Sequence, residues 1–206
     1  MRKIVAVQAR SHSTRLPGKI YLPIKGKPLL QWVVDACTSV GETIVLGPKG
    51  DSELEAWCSE RKIGLYQGSE NDLVDRYVSL LRDFNMDGIV RVTGDCWRVS
   101  PEIVKVALDL IPACDYASNT VIRSFAEGLD VQMASKAGWE WFDKNQTTER
   151  EHPFAPFDAN QTIRDQFVKD GLKFRNLYNS KNEIFIKSSI DTKEEYEAAN
   201  KTHNPV

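Results

Sequence analysis

The chain has few of the features that would staple or anchor it. Its four cysteines, Cys37, Cys58, Cys96 and Cys114, form no C-x-x-C pair and no structural-zinc spacing, so they read as buried or free thiols in a reducing compartment. No apolar stretch approaches the ~20 residues of a membrane span, and the run before Gln8 is too short for a signal-peptide core. A cytoplasmic protein without membrane insertion is expected. An excess of one charge is also missing. The 27 Lys and Arg stand against 29 Asp and Glu for a net charge of −2, which removes any global reason to expect nucleic acid as a partner. There is no internal repeat, low-complexity tract or linker.

What is present is the material of an ordinary folded domain. Of 206 residues, 41% are hydrophobic and 27% charged, and at this length folding buries roughly 70% of the surface of the unfolded chain. One domain over 1–206 is expected. Charge is unevenly placed, however. Met1 to Val34 carries seven basic residues and no acid before Asp35, which suggests a local anion site.

Lys3 to Ala9 reads as a buried strand that feeds a loop. Helices follow from Pro28 to Cys37, from about Asp51 (a capping residue) to Glu60, from Asn71 to Phe84, and from Pro101 to Ile111 behind a Ser100 cap. Between them lie apolar runs at Thr43–Leu46, Gly64–Tyr66, Gly88–Val92 and Asp115–Ala117. This β-α alternation predicts a mostly parallel sheet covered on both faces. After Ser118 the rhythm changes. Leu129–Met133 reads as a strand, Lys136–Lys144 as a helix whose Trp139, Trp141 and Phe142 suit a core or subunit contact, and Glu149–Phe167 has no clean period. Lys173–Asn176 and Ile184–Ser188 read as late strands joined by a turn at Asn179–Asn182, and Thr192 can cap a final helix.

The loop Gln8–Lys19, QARSHSTRLPGK, follows the first strand at its carboxyl end, the edge where open α/β sheets bind ligands. It is neither G-x-G-x-x-G nor G-x-x-x-x-G-K-S, which disfavours a dinucleotide dehydrogenase or a P-loop kinase. Its backbone amides, with Arg10, Arg15 and Lys19, suit a polyphosphate.

Seven blocks in order resemble one family: QARSHSTRLPGK, GKPLL (Gly26–Leu30), GSENDLVDRY (Gly68–Tyr77), RVTGDC (Arg91–Cys96), EGLDVQ (Glu127–Gln132), REH (Arg150–His152) and SIDTKEEYE (Ser189–Glu197). They resemble the cytidylyltransferases of spore coat polysaccharide biosynthesis, which are similar to the CMP-KDO and CMP-sialic acid synthetases. The resemblance implies a three-layer α/β nucleotidyltransferase fold of the glycosyltransferase A type, with a mostly parallel Rossmann-like sheet. Residues 1–118 would form the nucleotide-binding half. Residues 119–206 would form the acceptor-binding half and supply a metal aspartate. The implied reaction moves CMP from CTP to a sugar acid or related acceptor and releases pyrophosphate.

Carried over to matching positions, the resemblance has Arg15 and Lys19 hold the triphosphate and has Asp95 and Asp191 ligate Mg2+. Gln8, Arg10, Ser11, Ser13, Thr14, Gly68, Ser69, Asp72, Arg76, Thr93 and Gly94 would complete the nucleotide site. Arg98, Asn119, Asp130, Gln132, Arg150, Glu151 and His152 are the acceptor candidates. Arg98 and Arg150 suit a carboxylate or phosphate, and His152 suits proton removal. The pattern departs at Trp97 and Arg98, where proline and an apolar residue are usual, at Gln132, where glutamate is common, and at Thr93, where the acidic-sugar synthetases carry glutamine. Alternatives are a phosphate- or phosphonate-bearing acceptor with a CDP-linked product, a non-catalytic nucleotide-binding homologue, and a glycosyltransferase that uses a nucleotide sugar. A homodimer is compatible with all of these.

Overall fold

In the computed structural model, which describes residues 1–179 and 189–201, the chain alternates strands and helices through its first half. The elements are β1 (Lys3–Gln8), the short pair β2 (Pro23–Ile24) and β3 (Lys27–Pro28), α1 (Leu29–Thr38), β4 (Thr43–Pro48), α2 (Ser52–Glu60), β5 (Gly64–Gly68), α3 (Leu73–Asp83), β6 (Gly88–Thr93), α4 (Pro101–Leu110) and β7 (Tyr116–Ser118). The second half adds β8 (Val131–Ser135), α5 (Lys136–Asn145), α6 (Ala155–Ala159), α7 (Gln161–Lys169), β9 (Phe174–Asn176) and α8 (Lys193–Lys201). The predicted strand at Ile184–Ser188, and the turn before it from residue 180 on, lie outside the described residues.

Seven strands form one sheet in the order β5-β4-β1-β6-β8-β7-β9. β1 pairs parallel with β4 and β6, β4 with β5, and β7 with β9, whereas β8 is antiparallel to both its neighbours. The mostly parallel three-layer α/β fold is therefore present, with β8 alone reversed. The central strands β1 and β4 are covered on both faces, which explains their apolar runs at residues 4–7 and 44–46. In β1, Val5 and Val7 point into one core with α1 and α4, and Ile4 and Ala6 point into the other with α3 and α5.

That second core is aromatic. Tyr77 of α3 stacks on Trp139 of α5 with ring centroids 4.4 Å apart, and Phe142, Phe154, Phe157 and Phe167 close around Tyr116 and one another. Trp139, Trp141 and Phe142 are all buried, as the core reading expects. All four cysteines are free and buried. No described helix is long and apolar enough to cross a membrane.

Two features were not expected. The Glu149–Phe167 stretch holds two helices, α6 and α7, anchored by Phe157 and Phe167, each about 1% exposed or less. The β2–β3 hairpin turns through Lys25 and Gly26, both with positive φ, and α8 docks on it as the Tyr196 hydroxyl donates to Pro23 O at 3.1 Å.

Candidate active site

A cavity of about 500 Å³ opens at the carboxyl ends of β1 and β6, a size suited to a small-molecule ligand. The loop after β1 forms one wall. Gly18 adopts φ 66°, a left-handed conformation that glycine takes without strain, and its N–H donates to Ser11 O at 3.1 Å. Ser11 is buried, and its N–H and hydroxyl donate to the two Asp51 carboxylate oxygens at 2.8 and 2.6 Å. Asp51 also accepts from Leu54 N as the cap of α2. One carboxylate thus starts a helix and pins the loop. Pinned in this way, the loop presents Arg10, Ser13, Thr14, Arg15 and Lys19 to the cavity, together with Gln8 from the end of β1. Ser11 faces away from it and is held by Asp51.

The two predicted metal aspartates come together on one ammonium. Lys19 Nζ donates to Asp95 Oδ2 at 2.6 Å and to Asp191 Oδ1 at 3.0 Å, and Arg15 Nη2 donates to the same Asp191 oxygen at 2.8 Å. Backbone bonds hold the register. Cys96 and Ser189 form an antiparallel bridge, and Ile190 N donates to Asp95 O. Asp191 is seated at the start of α8 by a capping box, in which Glu195 Oε2 accepts from the N–H groups of Asp191 and Thr192 while Thr192 Oγ1 accepts from Glu195 N.

Burial alone would lower the Lys19 pKa, but Asp95 and Asp191 outweigh it and hold the ammonium above its ordinary value. Burial likewise opposes ionisation of Asp95, and the Lys19 charge prevails, leaving that carboxyl below the usual range. Behind it, Cys96 Sγ lies 3.0 Å from Thr93 Oγ1, and burial pushes the thiol up.

Thr93 and Gly94 line the cavity at the end of β6. A Cβ on Gly94 would fall 3.1 Å from Leu30 Cδ1 and 3.2 Å from Gln8 O, so glycine permits the close approach of β6 to the loop. Arg76 also reaches the wall. Its Nε donates to Ser69 O at 2.7 Å, and burial lowers its pKa. Gly68, Ser69 and Asp72 do not line the cavity; Ser69 Oγ accepts from Asp72 N, and Asp72 caps α3 through Asp75 N. They shape the turn that carries Arg76.

Four acceptor candidates lie off the cavity wall and have other partners. Arg150 is spent on structure: Nε donates to Asp72 at 2.6 Å, Nη2 to Asp143 at 2.7 Å, and Nη1 to the carbonyls of Asp143 and Gln146. Arg98 lies over the Trp97 ring, 4.6 Å from its centroid, away from the cavity wall. Asn119 stitches β7 to β8, donating to Leu129 O and accepting from Val131 N. Gln132 is buried and belongs to a polar network with Arg91, Tyr116, Thr120 and Asp158. Asp130, Glu151 and His152 do reach the wall. Asp130 is gripped there by Arg123 at 2.6 and 3.3 Å.

Sequence reasoning passed over Arg91, Glu70 and Glu127, all on the wall. Arg91 was readable in principle, as the lone charge inside the apolar strand GIVRVT. Asp51 was readable as a cap, but its grip on Ser11 depends on tertiary packing.

A cytidylyltransferase family profile matches residues 4–203, so the chain belongs to the cytidylyltransferase family. It is 32% identical over 111 residues to the spore coat polysaccharide biosynthesis protein SpsF of Bacillus subtilis, a match covering 50% of this chain and 46% of that protein. It is 26% identical over 175 residues to a 3-deoxy-manno-octulosonate cytidylyltransferase of Vibrio campbellii, covering 80% and 66% respectively. The chain thus spans about half to two-thirds of these relatives' lengths. Among solved structures, a cytidylyltransferase from Leptospira borgpetersenii superposes with a TM-score of 0.84 at 28% identity, covering 97% of this chain and 85% of that one.

Proposed function

We propose that this chain transfers CMP from CTP to a sugar acid or related acceptor for surface polysaccharide synthesis, releasing pyrophosphate. The observation that carries this reading is the meeting of Lys19, Arg15, Asp95 and Asp191 at the end of the β1 loop. Two carboxylates within 3.0 Å of one ammonium offer the hard oxygen donors that Mg2+ takes, with water and phosphate filling its remaining positions. Asp95 and Asp191 would hold that ion, which when bound neutralises phosphate charge and polarises the phosphoryl oxygens.

The chain's own part is to place the reactants. Arg10, Arg15 and Lys19, with the hydroxyls of Ser13 and Thr14, would bind the triphosphate along the pinned loop. An acceptor oxygen then attacks the α-phosphorus, the bond to the bridging oxygen breaks with its electron pair leaving on pyrophosphate, and the acceptor proton is lost. His152, exposed on the cavity wall and without a side-chain hydrogen bond among the described residues, would take that proton. Fixed cations stabilise the charge that develops on the leaving pyrophosphate.

The test is pyrophosphate release with each of the four ribonucleoside triphosphates and Mg2+ against nonulosonic acids, KDO and phosphorylated polyols. Turnover with CTP and a sugar acid is expected. Turnover confined to phosphorylated acceptors would shift the product to a CDP-linked one, and CTP binding without release against any acceptor would overturn the reading.

A further inference from the structure

We propose that Arg91 binds an oxyanion, carboxylate or phosphate, on the acceptor and thereby sets acceptor specificity; this rests on the cytidyl-transfer reading above. Arg91 is half-buried in β6, on the same strand face as Thr93, and lines the cavity. Its Nε donates to Gln8 Oε1 at 2.8 Å and its Nη1 donates to Gln132 Oε1.

Both partners are neutral, and the network forces the orientation of one of them. Gln132 Nε2 donates to Asp158 Oδ2 at 3.0 Å and also lies within bonding distance of Thr120 Oγ1 and Tyr116 Oη. An ionised carboxylate only accepts, so the amide nitrogen must face Asp158 and the amide oxygen must face Arg91. The guanidinium is therefore held in place by neutral oxygens, with Asp158 one side chain further away and no direct ion pair. Among the described residues, no carboxylate oxygen lies within 4.0 Å of it, and its further neighbour is the neutral Tyr77 hydroxyl.

Of the other cations near this wall, Arg123 pairs with Asp130, Arg150 with Asp72 and Asp143, and Lys19 and Arg15 with the aspartates, while Arg76 donates to the carbonyls of Ser69 and Glu70 and Arg10 stands on the β1 loop that the reading above gives to the triphosphate. A rigid, partly desolvated guanidinium with free donors favours a planar or tetrahedral oxyanion. Gln132 and Asp158, which fix Arg91, belong to the second half of the chain, as do the nearby wall residues Asp130 and His152. This places the subsite on the acceptor side.

The test loads the protein with CTP and Mg2+ and titrates it with D-gluconate, glycerol 3-phosphate or neutral erythritol. The readout is the Arg91 Nε–H signal in 15N NMR, assigned by its loss in Arg91→Gln. A saturable shift with at least one anion and none with erythritol is expected, and the responding anion tells carboxylate from phosphate. Arg91→Gln should weaken that anion about tenfold or more while CTP affinity stays within about twofold, and Arg91→Lys should recover part of the loss. An unmoved signal, an equal response to erythritol, unchanged anion binding in Arg91→Gln, or a tenfold loss of CTP affinity in that variant would each overturn the proposal. Failure of the wild type to bind CTP would instead defeat the cytidyl-transfer reading. The same titration without CTP would then still decide the Arg91 subsite.

Discussion

Among single residues, Lys19 is the hinge of the site because two carboxylates share its ammonium. Replacing Asp191 or Asp95 with Asn should cut pyrophosphate release by about 10²–10³ with circular dichroism unchanged; full activity in either variant would remove the metal assignment. The same cluster carries a pH signature. Asp95 is held below its ordinary value of 3.8, so its contribution is complete above that value and lost as pH falls through the lowered one. Lys19 is held above 10.5, so its contribution is complete below 10.5 and lost as pH rises through the raised one. Urea unfolding of the wild type against Asp95→Asn should give a stability difference that is flat between about pH 5 and 9 and shrinks on either side. Arg150 behaves differently. Its alanine variant should lose about 2 kcal/mol of stability, and a double-mutant cycle with Asp72→Ala should show coupling of about 1 kcal/mol. Additive effects in that cycle would return Arg150 to the ligand side.

At the level of elements, the β1 loop depends on the α2 cap. Asp51→Ala removes an N-cap bond and two bonds to Ser11 together, so a loss of about 2–3 kcal/mol is expected from thermal unfolding. Because those bonds set where Arg15 and Lys19 stand, CTP affinity should fall in the same variant, as calorimetry would show. Unchanged affinity would mean that the loop keeps its shape without the clamp. Strands and helices with strong periods were legible in the sequence: the strand at Gly88–Val92, the helix at Pro101–Ile111 with its Ser100 cap, and the Thr192 cap of the last helix all stand near their predicted bounds. α6 was not legible, since five residues around Pro156 make too short a window for a helical period. The two-residue strands β2 and β3 carry no alternation at all.

Over the whole molecule, stability rests on two cores separated by the sheet, one of them aromatic. Trp139→Ala should cost about 3–5 kcal/mol, read from the midpoint of denaturant unfolding, because Trp139 is fully buried and stacks on Tyr77. A loss under about 1 kcal/mol would mean that the core collapses to fill the gap. Strand order was beyond the sequence. A strand's apolar run shows that both of its faces are covered, yet it does not show that β8 enters antiparallel between β6 and β7.

The sequence by itself determined the kind of chemistry, because residue types and their order record it: a cationic loop after the first strand, and aspartates after two later segments. It also determined the alternating α/β layers, since two-sided burial and helical periods are local patterns. Tertiary structure alone decided which charges remain available. Arg98, Arg150 and Arg91 are alike as letters, but Arg150 is saturated by Asp72, Asp143 and two carbonyls, and Arg98 lies over Trp97. Arg91 instead keeps its guanidinium on the cavity wall, bonded to two neutral amide oxygens and to no carboxylate among the described residues. An ion pair forms where two distant segments happen to meet, and that meeting is set by sheet order and docking rather than by any local pattern.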